Sequence, residues 1–179
     1  MNDGLIPNRY AKALYKFAIE NGQQQSVYNE VKQLAASYDA MPELKAAISN
    51  PFIAVEEKEK VLLTAACAKQ GGCLDRFLLL VIDKNRVDYL RPISLAYLKQ
   101  YRQDNGIANV EIVTATELPE QEINGIVDVV KKQLSGKSLE ISKSVDSDLI
   151  GGFTVSVDGQ VLDASVKNEL KKLRLKLLS

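Results

Sequence analysis

Along the first 105 positions, apolar residues recur at intervals of three and four, the spacing that lines one face of an α-helix. Tyr10, Leu14 and Phe17 share such a face with Ala11 and Ala18, and Asn21-Gly22 closes the segment in the manner of a left-handed cap. Val27, Val31, Leu34 and Tyr38 form a second stripe that stops at Met41-Pro42. Leu44 and Ile48 form a short third stripe that stops at Asn50-Pro51, because the residue before a proline is pushed out of the helical region. Val61, Leu62, Ala65 and Ala66 predict a fourth helix from about Val55 to Gly71-Gly72. In the fifth, Leu74, Phe77, Leu78, Val81 and Ile82 follow the i, i+3, i+4, i+7, i+8 pattern, while Leu79 and Leu80 widen the stripe beyond one face. Such a helix either sits in the middle of a bundle or offers its second face to a partner, since an exposed Leu79-Leu80 strip is costly in water. Asn85 tolerates a left-handed turn, and a sixth helix carries Leu90, Ile93, Tyr97 and Tyr101 up to Asn105-Gly106, with Pro92 suited to its first turn.

After Gly106 the period changes from 3.6 to 2, which divides the chain into a helical domain, 1–105, and a second domain, 106–179. Val110, Ile112 and Thr114 alternate with Glu111, Val113 and Ala115 as a strand. Pro119 starts a helix whose apolar face is Ile123, Ile126, Val127, Val130 and Leu134, and Gly136 ends it. Leu139, Ile141 and Val145 alternate with polar residues in a second strand, and the strand–helix–strand order predicts a parallel crossover. Phe153, Val155 and Val157 share a face of a third strand, and Asp158-Gly159 is the signature of a tight hairpin returning through Val161. Asp163 or Ser165 can cap the last helix, with Val166, Leu170, Leu173 and Leu177 as its apolar stripe and Lys167, Lys171, Lys172, Arg174 and Lys176 on the other positions. That basic face is either solvated or a contact surface for an acidic partner. The expected fold class is α+β: a six-helix bundle followed by a small α/β domain with a mixed sheet and a C-terminal helix.

Composition narrows the chemistry. Lys plus Arg equals Asp plus Glu at 23 each, so no net field draws in the nucleic-acid backbone. The chain has no histidine, which excludes Ser-His and Cys-His nucleophile systems and imidazole metal ligation. Cys67 and Cys73 straddle Gly71-Gly72 with a spacing that fits neither a redox pair nor a zinc site, and are expected to be reduced. Met1 to Leu5 lacks the basic and apolar regions of a secretory leader, and the apolar run Phe77 to Ile82 falls far short of the roughly 20 residues that span a bilayer. Gly151-Gly152 leads into a strand, whereas a phosphate-cradling loop enters a helix, so these glycines are expected to shape the backbone. Gly136-Lys137-Ser138 has Lys131 where a P-loop needs its first glycine. Asp146, Asp148, Asp158 and Asp163 cluster around the hairpin, each with a structural use as turn residue, cap or strand flank. No catalytic, cofactor or metal set is expected, and the pattern favours a protein that holds other proteins.

Two motifs speak more specifically: Arg9-Tyr10-Ala11-Lys12-Ala13-Leu14 near the start, and Leu149-Ile150-Gly151-Gly152-Phe153 followed in order by Val155, Val157-Asp158-Gly159, Val161, Asp163 and Ser165-Val166. On these the chain resembles the δ subunit of the F-type ATP synthase, the family of the mitochondrial oligomycin-sensitivity-conferring protein, over essentially its whole length. The resemblance implies six N-terminal helices and a smaller α/β domain, in a non-catalytic stator that joins the catalytic head to the peripheral stalk so that the head cannot turn with the rotor. It implies that the N-terminal segment of the head's α subunit lies across the first and fifth helices, and that the second domain binds the C-terminal end of the stalk's b subunit. Carried onto this sequence, the groove involves Tyr10, Ala13 and Leu14 with Phe77, Leu80 and Val81, while Gly151, Gly152, Asp158, Gly159 and Asp163 shape the second domain. Lys84-Asn85-Arg86 departs from the family's usual Asn-Gly-Arg. The implied setting is the cytoplasmic face of a bacterial membrane, reached only through the complex, with no nucleic acid, no cofactor and no self-association. A helical RNA-binding regulator, touching phosphates through Lys171, Lys172, Arg174 and Lys176, is the competing class; net neutrality and the hairpin signature weigh against it.

Overall fold

A computed structural model of the chain describes residues 4–134 and 136–178. Met1 to Asp3, where the leader was weighed, lie outside the described residues. The chain forms two compact units, Met1–Tyr101 and Arg102–Ser179.

The first unit is helical: α1 (Leu5–Glu20), α2 (Gln24–Ala40), α3 (Glu43–Ser49), α4 (Val55–Ala66), α5 (Cys73–Asp83) and, after a short 3-10 turn at Val87–Tyr89, α6 (Leu90–Asp104). Chain reversals occur where left-handed residues are available. Gly22 takes φ +65°, and the Gln23 N–H donates back to the Ala18 carbonyl at 2.9 Å, which closes α1. Asn85, at φ +53°, lets the Arg86 N–H reach the Val81 carbonyl at 3.0 Å and closes α5 in the same way. The expected end of α4 at Gly71-Gly72 is corrected. Cys67 takes φ 49° and the Ala68 N–H closes on Leu63 at 2.9 Å, so the helix stops at Ala66, well before Gly71.

Leu14, Val27, Leu34, Leu62, Leu74, Leu78, Ile93 and Tyr97 form the fully buried centre of this unit. Val61, expected inside, is 43 % exposed, and Leu63 is buried in its place. Tyr15 and Tyr28 extend the expected aromatic stripe of α6 into a cluster: Tyr28 stacks on Tyr101 at 4.1 Å, and Tyr15 meets Tyr97 edge-on at 6.0 Å. Burial pushes the Tyr97 hydroxyl's pKa up, so it stays neutral.

In the second unit, β1 (Ile107–Thr114), α7 (Glu120–Gln133), β2 (Ser138–Val145), β3 (Gly152–Val157), β4 (Gln160–Ser165) and α8 (Val166–Leu178) build a mixed sheet of order β2-β1-β3-β4. β1 and β2 pair in parallel, as their connection through α7 requires, and β3 pairs antiparallel with both β1 and β4. Val110, Ile112 and Val155 pack against Val127 and Val130 of α7. This unit takes in the last turn of α6, where the Arg102 guanidinium binds the Glu140 carboxylate of β2 at 2.8 Å. Ile141 and Val145, expected on the core face of β2, are 36 and 54 % exposed because β2 is an edge strand.

Gly152 has φ +76°, and a Cβ there would lie 2.3 Å from the Ala164 carbonyl oxygen, so only glycine fits. Gly151 faces Val166, whose Cγ2 would lie 3.0 Å from an added Cβ. Asp158 and Gly159, at φ +50° and +91°, make the hairpin turn. Asp158 also ties that turn to the central strand, since its carboxylate accepts from the Asn109 N–H at 3.0 Å. Ser165 caps α8 by accepting from the Asn168 N–H at 3.2 Å, and Asp163 holds the approach by accepting from the Ser165 N–H at 2.9 Å. A hydrogen bond from the Ser165 side chain, and after it the one from the Ser165 backbone N–H, hold the Asp163 carboxyl below its ordinary pKa.

Candidate functional site

The helical periods of α1 and α5 bring two rows of side chains to the same surface, and an apolar groove of about 500 Å³ opens between them. Tyr10, Ala13, Leu14, Phe77 and Leu80 all line it, together with Phe17. Leu14 and Phe77 are 2 and 8 % exposed and form the floor, while Leu80, at 48 %, stands open on the α5 side. Ala13 is exposed and ends at its Cβ, which leaves the α1 backbone open to close approach. Tyr10 is half-buried and meets Phe77 edge-on at 6.2 Å.

Val81 is the exception among the six expected residues. It is fully buried and takes no part in the groove, because it falls on the same inward face as Leu74 and Leu78. Leu79 and Leu80 face outward, so α5 spends one face on the bundle and leaves the other open.

Sequence reasoning missed the charged wall. Arg9, Arg76 and Arg86 line the groove, and among the described residues no carboxylate does. Arg86 is held in place, its Nη1 donating to the Tyr10 hydroxyl at 3.0 Å and its guanidinium lying 5.3 Å from the centre of the Tyr10 ring. The available signal was the placement of Arg9 and Arg76, each one residue before an aromatic residue of the groove.

A second apolar opening, of about 420 Å³, lies in the other unit between α7 and the sheet, with Ile126, Val129, Phe153 and Leu162 among its walls. Leu170, Leu173 and Leu177 of α8 are 51, 55 and 85 % exposed, so the apolar stripe of that helix lies bare within this unit.

Cys67 and Cys73 are free thiols, the second buried with its pKa pushed up by that burial. Among the described residues, no group of three or more metal-ligating side chains gathers, and no helix is long and apolar enough to cross a membrane. Asp146 accepts from the Asp148 N–H at 2.9 Å, so it caps a turn and is not poised over a ligand.

Comparison with known proteins yields one family. A family model described as the ATP synthase delta (OSCP) subunit matches residues 6–177. The chain is 35 % identical over 178 residues to the ATP synthase subunit delta of Parabacteroides distasonis, covering 99 % of this chain and 98 % of that protein. It is 34 % identical over 172 residues to the ATP synthase subunit delta of Microcystis aeruginosa, covering 96 and 94 %. Its fold matches a chain of the Toxoplasma gondii mitochondrial ATP synthase hexamer, determined by cryo-electron microscopy, with a TM-score of 0.75, 20 % identity and 97 % of each chain covered. None of these relatives supports the RNA-binding alternative.

Proposed function

The chain belongs to the ATP synthase delta (OSCP) subunit family, and from that premise we propose that its α1/α5 groove holds the N-terminal segment of the α subunit of the catalytic head. It is a non-catalytic subunit that couples parts of a rotary ATP synthase. The observation that carries the reading is the groove itself, concave, apolar and lined by Tyr10, Phe17 and Phe77. An amphipathic helix seated there would present anchors at i, i+3 and i+4 to Tyr10, Phe77 and Leu80, with Ala13 allowing its backbone close. The second unit binds the C-terminal end of the b subunit through the bare stripe of α8, supported by the exposure of Leu170, Leu173 and Leu177. Both contacts lie at the cytoplasmic face of a bacterial membrane, which the chain reaches only through the complex.

The physical task is to resist torque without slipping. A nanomolar grip corresponds to about 12 kcal/mol and lies within reach of a standard interface of about 1,600 Å² with an apolar core. Adding the full chain to membranes stripped of this subunit is expected to restore proton-driven ATP synthesis, whereas Tyr10→Asp, with helical circular dichroism intact, restores little at the same concentration. Equal restoration by both proteins would contradict the groove's role.

A further inference from the structure

The three arginines of the groove wall are unusual within this chain. The sequence contains six arginines, and half of them meet at this one groove although the chain as a whole is neutral, with 23 cations against 23 anions. Two of the others are satisfied internally, Arg91 by Asp39 at 2.7 Å and Arg102 by Glu140 at 2.8 Å. Arg9, Arg76 and Arg86 have no carboxylate partner among the described residues.

Their placement is specific as well. One residue along a helix is a turn of about 100°, so Arg9 and Arg76 stand beside Tyr10 and Phe77 and not over them. Leu14 and Phe77 make the floor, while Arg9 and Arg76 are exposed and Arg86 is half-buried against Tyr10. Arg86 spends one N–H on the Tyr10 hydroxyl, leaving most of its five donors for a partner. Arginine, with its planar fork, is the side chain that reads carboxylates in a two-bond geometry.

We infer that the segment seated in the groove is an amphipathic helix with carboxylates on the flanks of its apolar stripe, bound by Arg9, Arg76 and Arg86. This rests on the proposed seating of a head segment between α1 and α5 and adds the chemistry by which that segment is chosen. The apolar floor favours a protein helix over a nucleic-acid strand, which offers charge but no continuous apolar face. The charges steer the encounter and set the register, and the aromatic floor supplies the grip.

The test is the affinity of the full chain for the catalytic head lacking its own copy, measured between about 50 and about 500 mM salt, a range over which the screening length falls severalfold. The double variant Arg9→Gln, Arg76→Gln is expected to bind about tenfold more weakly at low salt and to show a flatter salt dependence. Lys12→Gln with Lys16→Gln, exposed on α1 outside the groove wall, is expected to bind as the parent does. Arg76→Lys should keep the fast association and lose part of the affinity, because it keeps the charge without the fork. An arginine double variant that binds with parental affinity and salt dependence, while Tyr10→Asp still abolishes binding, would overturn this inference and leave the groove reading standing. If the parent chain does not bind the head, both fall.

Discussion

In the helical unit Leu14, Leu34, Leu62, Leu74, Leu78 and Tyr97 are each at most 2 % exposed, and the opening left between α1 and α5 is an apolar hollow. In the second unit the sheet packs α7 well, yet α8 carries Leu170, Leu173 and Leu177 between 51 and 85 % exposed. The helical unit carries a concave apolar groove, while the second unit, besides the smaller opening between α7 and the sheet, carries an exposed apolar stripe on α8. A convex apolar helix gains its burial only when a partner covers it, as in permanent complexes whose interfaces resemble a domain core cut in half. A hollow with a buried floor instead lets a segment be covered without uncovering the core beneath it.

This contrast can be broken at defined points. The largest expected effect is Gly152→Val. Positive φ and a carbonyl oxygen 2.3 Å from the new Cβ leave no room for a side chain, so the β3/β4 pairing should be lost. Hydrogen exchange on the full chain should then show amides of β3 and β4 unprotected while those of α2 and α5 stay protected. Next, Leu78→Ala should destabilise the helical unit by about 3 kcal/mol in urea unfolding, because the site is fully buried. Leu170→Ser with Leu173→Ser should change unfolding by less than about 0.5 kcal/mol, since both side chains are already half in water. The same pair should weaken binding to the proposed stalk segment. A large loss of stability instead would place the α8 stripe in a core.

The smallest effect is expected from Glu59→Gln. Desolvation first, then a hydrogen bond and repulsion from Asp75, raise the Glu59 carboxyl's pKa. Asp75 is 4 % exposed, with one carboxylate oxygen accepting from the Gly71 N–H at 2.6 Å and, among the described residues, no donor for Oδ1 other than a protonated Glu59. A raised value in the folded state means that the contribution of protonated Glu59 is full below the ordinary carboxylate pKa and is lost as pH rises through the raised one. Stability measured from pH 4 upward should fall less steeply in Glu59→Gln than in the parent, because the amide keeps a donor toward Asp75.

The elements themselves were legible in the sequence, because the breakers that end them act locally. Asn21-Gly22, Met41-Pro42, Asn50-Pro51, Asn85 and Asp158-Gly159 all mark reversals in the structure. α4 ran past its true end on paper because Cys67 is not a residue that announces a left-handed turn. Val81 was beyond periodicity for a different reason. Seven of the nine residues from Leu74 to Ile82 are apolar, so the pattern marks a wide stripe without saying which side the bundle takes. The arginine wall joins residues from α1, α5 and the turn before α6, and only the packing of those elements brings them together. The stripe of α8 was legible as a face, but a period of 3.6 reports a face to be covered and not what covers it.

The most direct measurement of the central claim is calorimetric titration of the full chain into the catalytic head lacking its own copy, repeated with Tyr10→Asp. The account predicts saturation at one chain per head with nanomolar affinity, and a loss of about a hundredfold or more in the variant at unchanged helical circular dichroism. Binding that is equally tight in the variant, or no heat and no co-elution with the parent, would contradict it.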